Sequence, residues 1–318
     1  MIKNIIFRMI GNSNIVALKY LSKYKKYTFN GIIGQDYNQY EAIITRLYHT
    51  IEKGLSYTDY RPGFGAGNVQ KLIQAMENYI NDGYSEDAFF YRTALSTLEF
   101  YINKNKIYKH IDNDLEKKIE SLKGKSNGMG GSMKIIPLSK ETIQQQPYDK
   151  FVCDRHSMRH FSRVPVDIND IKNALIIAQQ TPSACNRQGW RSIVISNKEI
   201  MQKVLNNQNG NEGFGNEFDK LILIVSDSRY FNRDRELFQA YIDGGMYAQS
   251  VLNSLHFQHI ATVPLSASLS MKQEENIRKL LKLNGSEVLV MFIGIGNYPD
   301  ECLTTMSTRR KPNIVHID

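Results

Sequence analysis

Two short apolar runs constrain the fold of this chain more than any other feature. They are KLILIVS at 220–226 and EVLVMFIGIG at 287–296, and neither alternates with polar residues. This pattern is typical of strands that are covered on both faces of a sheet. WRSIVIS at 190–196 alternates and predicts a third strand. Helices are predicted at about 235–257 and 270–282, so this half of the chain is a layered α+β domain with a buried sheet.

The remaining periodic segments predict helices. A helix capped by Asp167 or Asn169 is expected to run to about Gln180. In the first half, the segments 40–55 and 68–80 place apolar residues at spacings of three and four, and AFFYRTALSTLEFYINK is a third candidate helix. Residues 1–120 are therefore predicted to be mainly helical.

A glycine-rich stretch, GKSNGMGGSMK at 124–134, is the best candidate for a boundary. Small polar residues accompany its glycines, which predicts a flexible joint or an exposed loop. The predicted division has three parts: a helical region at 1–123, a linker and lead-in at 124–150, and a further domain at 151–318.

The net charge, the cysteines and the lack of a long apolar run limit the class of protein, but they do not identify a binding partner. The chain has 318 residues and a formal net charge of +8, which suits nucleic acid, an anionic membrane surface or a phosphorylated ligand, or only solubility. Its three cysteines have no C-x-x-C spacing, which fits a reducing compartment such as the cytoplasm. No apolar run approaches the roughly 18 residues of a membrane span. The basic N-terminus lacks the features of a signal peptide. A helix docked on the protein itself is expected there, and an amphipathic helix resting on a partner or a membrane is the alternative.

The stretch DRHSMRHF at 154–161 concentrates cations around a hydroxyl. In an extended segment Arg155, Ser157 and Arg159 would point the same way, while His156 would face elsewhere. Two guanidinium groups and a hydroxyl suit a phosphate or a polar ring edge. A solvated basic turn is the alternative. A metal site on the two histidines of this stretch is not supported, since no carboxylate or cysteine joins them at a recognisable spacing.

Three other stretches contain candidate ligand contacts. In TPSACNRQGWR at 181–191, small residues would let a flat ligand approach, and Asn186 and Gln188 can each donate and accept hydrogen bonds. In IATVPLSAS at 260–268 a short strand is predicted to break at Pro264, which would free backbone N–H groups. The tail STRRKPNIVHID is basic and then apolar. Plain turns and a disordered tail are the alternatives. GFGAG follows no predicted strand, so a dinucleotide-binding fingerprint is not supported.

Taken in order, these stretches resemble the FMN-dependent nitroreductase family. The likeness lies in R-x-S-x-R, P-S-A-x-N-x-Q-x-W, DGGMYAQSVLNSL, a strand ending in Pro-Leu-Ser and a basic tail with R-x-P, and it covers about residues 150–318. HTIEKGL and RPGFG also resemble the helical N-terminal region of nitroreductase-like proteins met in polysaccharide biosynthesis settings.

The resemblance implies an α+β fold with a central, mostly antiparallel sheet flanked by helices, in an intertwined homodimer with FMN at the interface. NADH or NADPH would reduce a small organic acceptor by way of the flavin in a ping-pong reaction, and no side chain need act as a nucleophile. The residues implied to contact FMN are Arg155, His156, Ser157, Arg159, Pro182, Ser183, Ala184, Asn186, Gln188, Pro264, Leu265, Ser266, Arg309 and Arg310. Of these, the arginines would gather around the phosphate.

The chain departs from the family pattern at three places. Gly189 stands where proline is usual before the tryptophan, Ser266-Ala267 replaces the commoner residues near flavin N5, and Thr308 replaces a frequent lysine. His49 and Glu52 are further candidates if the helical half covers the pocket, and core or surface roles are their alternative. Two rival functions stay open: another flavin chemistry on the same scaffold, and a non-enzymatic basic module that binds a polyanion.

Overall fold

The structure is a computed structural model. The residues that it describes are 12–27, 33–34, 36–231 and 234–317. Their contacts divide the chain into two compact units. The first unit takes the described residues of 1–26 and 136–301, and the second unit takes those of 27–135 and 302–318. These units differ from the predicted three-part division, because the C-terminal tail groups with residues of the helical half.

The secondary structure mixes helices with short antiparallel strands. The described helices are α1 (Asn12–Tyr27), α2 (Tyr37–Leu55), α3 (Ala66–Asn81), α4 (Phe89–Ile107), α5 (Asn113–Glu120), α6 (Lys140–Gln145), α7 (Tyr148–Asp154), α8 (Ile168–Ala178), α9 (Lys198–Leu205), α10 (Gln239–Phe257) and α11 (Met271–Leu281). The described strands are β1 (Ser132–Ile135), β2 (Trp190–Ile195), β3 (Lys220–Asp227), β4 (Ile260–Ser266), β5 (Glu287–Asn297) and β6 (Cys302–Thr305). The predicted α+β class is confirmed.

The central sheet of the first unit has the strand order β2-β3-β5-β4, and each neighbouring pair is antiparallel. On one face, Ile222, Ile224 and Ile293 join a core formed with α8 and α10. Leu221 and Leu223 alternate with them along β3 and are also fully buried. Both faces of the sheet are therefore covered, as the apolar runs predict.

Strand β4 continues through Pro264, so the predicted strand break at that residue is wrong. Pro264 pairs with Ile293 of β5, and the strand ends only at Ser266. The position is tolerated because β4 is the last strand of the four, where a proline can sit without removing a bond from the interior of the sheet.

The predicted helices agree with the structure, except that helix α10 begins later than predicted. The segment 40–55 lies in α2 and the segment 68–80 lies in α3. Asp167 is the N-cap of α8, where its carboxylate accepts the N–H of Asn169 at 2.8 Å. Helix α10 begins at Gln239 rather than near 235, because a separate 3-10 turn precedes it.

The second unit is built around helices α2 to α5, whose apolar faces form one core. Aromatic rings dominate part of this core, and Tyr79 lies 5.1 Å from the stacked ring of Tyr84. The Tyr40 hydroxyl donates to Asp82 Oδ2 at 2.6 Å. Burial, helped by this carboxylate, raises the pKa of Tyr40 to about 12. The phenol therefore stays protonated and serves as a donor inside the core.

The C-terminal tail joins the second unit through a short sheet. Strands β1 and β6 pair antiparallel, with Ser132 opposite Thr305. Beyond the strand, the Thr308 hydroxyl donates to the Met129 carbonyl at 2.6 Å. The pairing of β1 with β6 therefore brings Thr308, which follows β6, next to Met129, which precedes β1. The two strands are far apart in sequence.

The glycine-rich stretch packs closely against α4 and does not behave as an open joint. The Ser96 hydroxyl accepts the N–H groups of Asn127 at 3.0 Å and Gly128 at 2.8 Å. A Cβ atom at Gly130 would lie 2.3 Å from Thr97 Oγ1 and 2.4 Å from the Thr93 carbonyl oxygen. Glycine is required at position 130 because the backbone touches the helix directly.

Candidate functional site

The segment from Arg155 to Arg159 runs along the strand at the edge of the central sheet. Ser157 forms a parallel bridge with Thr262 of β4, and the Met158 N–H donates to the Thr262 carbonyl at 2.8 Å. Met158 is 1% exposed, which anchors the segment in the core. Because the pairing is parallel, the chain runs from Ser157 to Arg159 in the same direction as β4 runs toward Pro264.

Arg155 lies beside a buried histidine of the same unit. Burial and the nearby Arg155 charge lower the pKa of His256 from 6.5 to about 4, and His156 acts in the same direction. The His256 Nδ1 atom lies 3.1 Å from the Tyr298 hydroxyl. A neutral imidazole at this place means that the positive charge near the start of the segment comes from the Arg155 guanidinium.

Arg159 is the most buried of the predicted cations, with 7% of its surface exposed. Its guanidinium lies 5.8 Å from the centre of the Phe214 ring, and its Nη1 donates to the Ser157 carbonyl at 3.4 Å. Taking a guanidinium out of water is costly unless acceptors or an anion surround it. The Phe214 ring and the Ser157 carbonyl are two of the groups that hold this guanidinium in place.

The loop Pro182–Gln188 has an unusual backbone. Cys185, Asn186 and Gln188 have φ angles of 53°, 54° and 50°, in the left-handed region that disfavours side chains with a Cβ. Residues held this way cost on the order of 1–3 kcal/mol each and persist only where surrounding contacts enforce them. Inside the loop, the Gln188 N–H donates to Ser183 Oγ at 3.0 Å. The loop is thus held in one strained conformation.

Two acidic residues outside the loop supply the enforcing contacts. Asp243 of α10 is 1% exposed, and its Oδ2 accepts the Ala184 N–H at 3.1 Å. The Glu236 carboxylate accepts both terminal nitrogens of Arg187, at 3.2 and 2.6 Å. Bidentate pairing of this kind adds geometric restraint as well as energy. Asp243 stands in the DGGMYAQ stretch, where an acid in an otherwise apolar helix is the signal that could have identified it.

The end of β4 carries the remaining predicted contacts of the first unit. Leu265 is buried and Ser266 is exposed. The Ser266 carbonyl accepts Gln208 Nε2 at 3.0 Å, and its Oγ accepts the Ser268 N–H at 2.9 Å. These bonds hold the chain extended up to the strand end, beside the segment that bears Arg159.

Arg309 and Arg310 belong to the second unit. Arg310 Nη1 lies 2.5 Å from Glu41 Oε2, and Arg309 donates to the Ser307 carbonyl. Both side chains are exposed. The gathering of these arginines with Arg155 and Arg159 around one phosphate stays a prediction.

His49 and Glu52, the further candidates on α2, also lie in the second unit. Glu52 is fully buried, its Oε2 lies 3.0 Å from His49 Nδ1, and its Oε1 accepts the Gly131 N–H at 3.1 Å. The carboxylate therefore has a structural role in the glycine-rich stretch and a second role in orienting an imidazole.

The donor set of the first unit fits FMN in its chemistry. FMN carries a phosphate of about −1.5 to −2 charge and a ring edge that both donates and accepts hydrogen bonds. The segment offers two guanidinium groups and a hydroxyl within five residues, Arg155, Ser157 and Arg159. The loop offers the amides of Asn186 and Gln188. A ligand of this size and mixed polarity can be held by such groups without any metal.

Among the residues that the structure describes, no group of three or more histidine, cysteine, aspartate or glutamate side chains could hold a metal ion. None of the helices in the described ranges has the length and apolar character needed to cross a bilayer.

Comparison with known proteins places one segment in a family pattern. The sequence model of the Nitroreductase family matches residues 152–211. That segment contains both the Arg155–Arg159 strand partner of β4 and the strained loop. No curated protein matches the chain.

Solved structures that resemble the chain include three clostridial proteins. An FMN-dependent nitroreductase from Clostridium difficile is 21% identical, with a TM-score of 0.40, over 45% of this chain and 83% of that one. A nitroreductase family protein from Clostridium novyi is 14% identical, with a TM-score of 0.44, over 49% and 87%. Another from Clostridium difficile is 20% identical, with a TM-score of 0.41, over 48% and 85%.

Proposed function

We propose that this protein is an FMN-dependent oxidoreductase related to the nitroreductases. The observation that carries the proposal is the parallel bridge between Ser157 and Thr262, which holds Arg155 and Arg159 at the sheet edge inside the family match. The bound flavin would supply the redox chemistry, taking electrons from NADH or NADPH and passing them to a small organic acceptor.

The side chains of this chain would bind and orient the cofactor. Arg155, Ser157 and Arg159, with His156 beside them, would hold the phosphate and the polar edge of the ring. Arg309 and Arg310 are proposed to complete the phosphate site. The cations would balance the phosphate charge, and no side chain is required to form a covalent bond with the substrate.

Two further segments would shape the site around the ring. Pro182, Ser183, Ala184, Asn186 and Gln188 would contact the flavin from a partner subunit, which makes the proposed enzyme a homodimer. Pro264, Leu265 and Ser266 would run beside the ring. A site between two subunits excludes water from the reacting atoms and leaves one face open for donor and acceptor in turn, so ping-pong kinetics are expected. A role in polysaccharide biosynthesis and a cytoplasmic location belong to the same proposal.

The decisive experiment is the absorbance spectrum of the purified protein. The proposal expects a yellow protein whose flavin, released by heat, is FMN, and whose colour bleaches on anaerobic addition of NADH or NADPH. A protein that stays colourless after incubation with excess FMN would contradict it. That result, together with strongly salt-dependent binding to heparin, would favour the basic module instead. A yellow protein that neither nucleotide bleaches would indicate a different flavin chemistry.

A further inference from the structure

The second unit contains an open cavity of about 670 Å³, and the flavin proposal uses only Arg309 and Arg310 of its lining. Arg46 and His49 of α2 line it, together with the aromatic pair Phe89 and Phe90 at the start of α4 and Arg309 of the tail. This volume is in the range of small-molecule sites, which are about 300–1,000 Å³. The cavity combines a cationic side with an aromatic side.

The cationic side has more positive charge than its acid can neutralise. Glu41 is the carboxylate at this cavity, and it pairs with Arg310 at 2.5 Å. Arg46 is exposed on α2, and among the described residues its guanidinium has no hydrogen-bond or ion-pair partner. Arg309 adds a further cation. The Arg46 guanidinium therefore remains to bind an anion from solution, beside the positive charge of Arg309.

The histidine of the cavity is held in one orientation. His49 Nδ1 lies 3.0 Å from Oε2 of Glu52, which is fully buried and also bonded to Gly131. A buried carboxylate on one ring nitrogen fixes the imidazole and leaves Nε2 as the nitrogen that can meet a ligand. The cavity thus has a preorganised polar group in its lining, in addition to the arginines and the phenylalanines.

The aromatic wall completes the site. Phe90 is 2% exposed and packs in the helical core, whereas Phe89 is half-buried and continues the apolar surface into the cavity. Aromatic side chains next to a few convergent polar groups are typical of pockets that bind flat organic molecules. An inorganic ion alone would leave this wall unused.

We propose that this cavity binds a small aromatic acid, with its carboxylate or phosphate on Arg46 and His49 and its ring against Phe89. The inference goes beyond the proposed function, since it concerns a second ligand on residues of α2 and α4 that the flavin proposal does not use. Arg309 and Arg310 belong to the proposed phosphate site as well, so the test depends on Arg46.

Isothermal titration of the purified full-length protein tests the proposal with three naphthalene probes. We expect 1-naphthyl phosphate or 1-naphthoate to bind at least about tenfold more tightly than neutral 1-naphthol, because a charge-assisted hydrogen bond has no counterpart in the alcohol. Comparing the Kd of 1-naphthyl phosphate with that of 1-naphthoate shows whether the cavity prefers a phosphate or a carboxylate. Arg46→Gln should lose that preference, and Arg46→Lys should keep part of it.

Arg61→Gln is the matched control, because it removes the same charge from an exposed position of the second unit outside the cavity. It should leave binding unchanged. Equal binding of all three probes to the wild type, or equal losses in both glutamine variants, would overturn the proposal. So would loss of bound FMN in Arg46→Gln, which would make the cavity part of the flavin site. A colourless protein would contradict the flavin proposal and leave this titration intact.

Discussion

The buried carboxylate of Asp243 accepts the backbone N–H of Ala184 at 3.1 Å, across 59 positions of the sequence. The other oxygen of the same carboxylate accepts Gln239 Nε2 at 2.7 Å. One acid on α10 therefore joins the helix start to the strained loop that is proposed to touch the flavin. The loop conformation is determined by this helix as much as by its own residues.

Asp243→Ala is expected to weaken FMN retention through the loop. The change leaves two donors without their acceptor, and an unsatisfied buried donor costs about 1–3 kcal/mol. The Kd for FMN, measured by quenching of flavin fluorescence, should rise. Glu275→Ala removes an exposed carboxylate paired with Lys279 and is the control. If both variants bind FMN as tightly as the wild type, the loop does not depend on Asp243.

Arg155→Ala tests the proposed phosphate contact directly. A hydrogen bond to a charged group contributes about 1.5–3 kcal/mol, which corresponds to roughly ten- to hundredfold in the Kd for FMN. The same fluorescence titration measures it. Arg163→Ala, an exposed arginine of the same unit, should have little effect. Unchanged FMN affinity in Arg155→Ala would refute the placement of the phosphate.

Gly130→Ala should destabilise the second unit. Its Cβ would enter the space of Thr97 Oγ1 and the Thr93 carbonyl oxygen, and such overpacking costs about 1–3 kcal/mol. Gly67→Ala is the matched control, since no atom lies within 4 Å of its Cβ and helix α3 favours alanine by at most about 1 kcal/mol. The free energy of unfolding in urea should be highest for Gly67→Ala, intermediate for the wild type and lowest for Gly130→Ala. A Gly130→Ala variant as stable as the wild type would show that the stretch moves away from α4.

His256 is expected to make stability fall in mild acid. Its pKa is lowered from 6.5 to about 4 in the folded protein, so the unfolded chain binds the proton first as the pH drops. Its contribution is complete above pH 6.5 and is lost as the pH falls toward 4, by up to about 3 kcal/mol. The free energy of unfolding in urea, measured at pH 7 and at pH 4.5, should fall less for His256→Gln than for the wild type. Equal falls in the two proteins would exclude this histidine as a source of the acid sensitivity.

Local patterns in the sequence predicted the elements well. The apolar runs identify β3 and β5, and Asp167 caps the helix that it was predicted to cap. Local reasoning erred at Pro264, because whether a proline ends a strand depends on whether that strand lies at the edge of its sheet. The glycine-rich stretch was likewise interpreted by composition, whereas the contact of Gly130 with α4 decides its conformation.

The residues of the candidate site are predicted from the sequence, and their part in binding a flavin stays a prediction. The resemblance indicated Arg155, Ser157 and Arg159, and the structure adds that Thr262 of β4 is the strand partner that holds them. Asp243 stands out in the sequence as an acid in an otherwise apolar helix, but the sequence does not show that the Ala184 N–H is its partner.

Residues a few positions apart set where helices and strands form and which of their faces are apolar, so these features can be predicted from the amino-acid order. The pairing of the tail with β1 and the contact of Asp243 with Ala184 depend on the folded protein. Such contacts close long loops, and their free energy depends on burial and packing that exist only once the whole unit has folded.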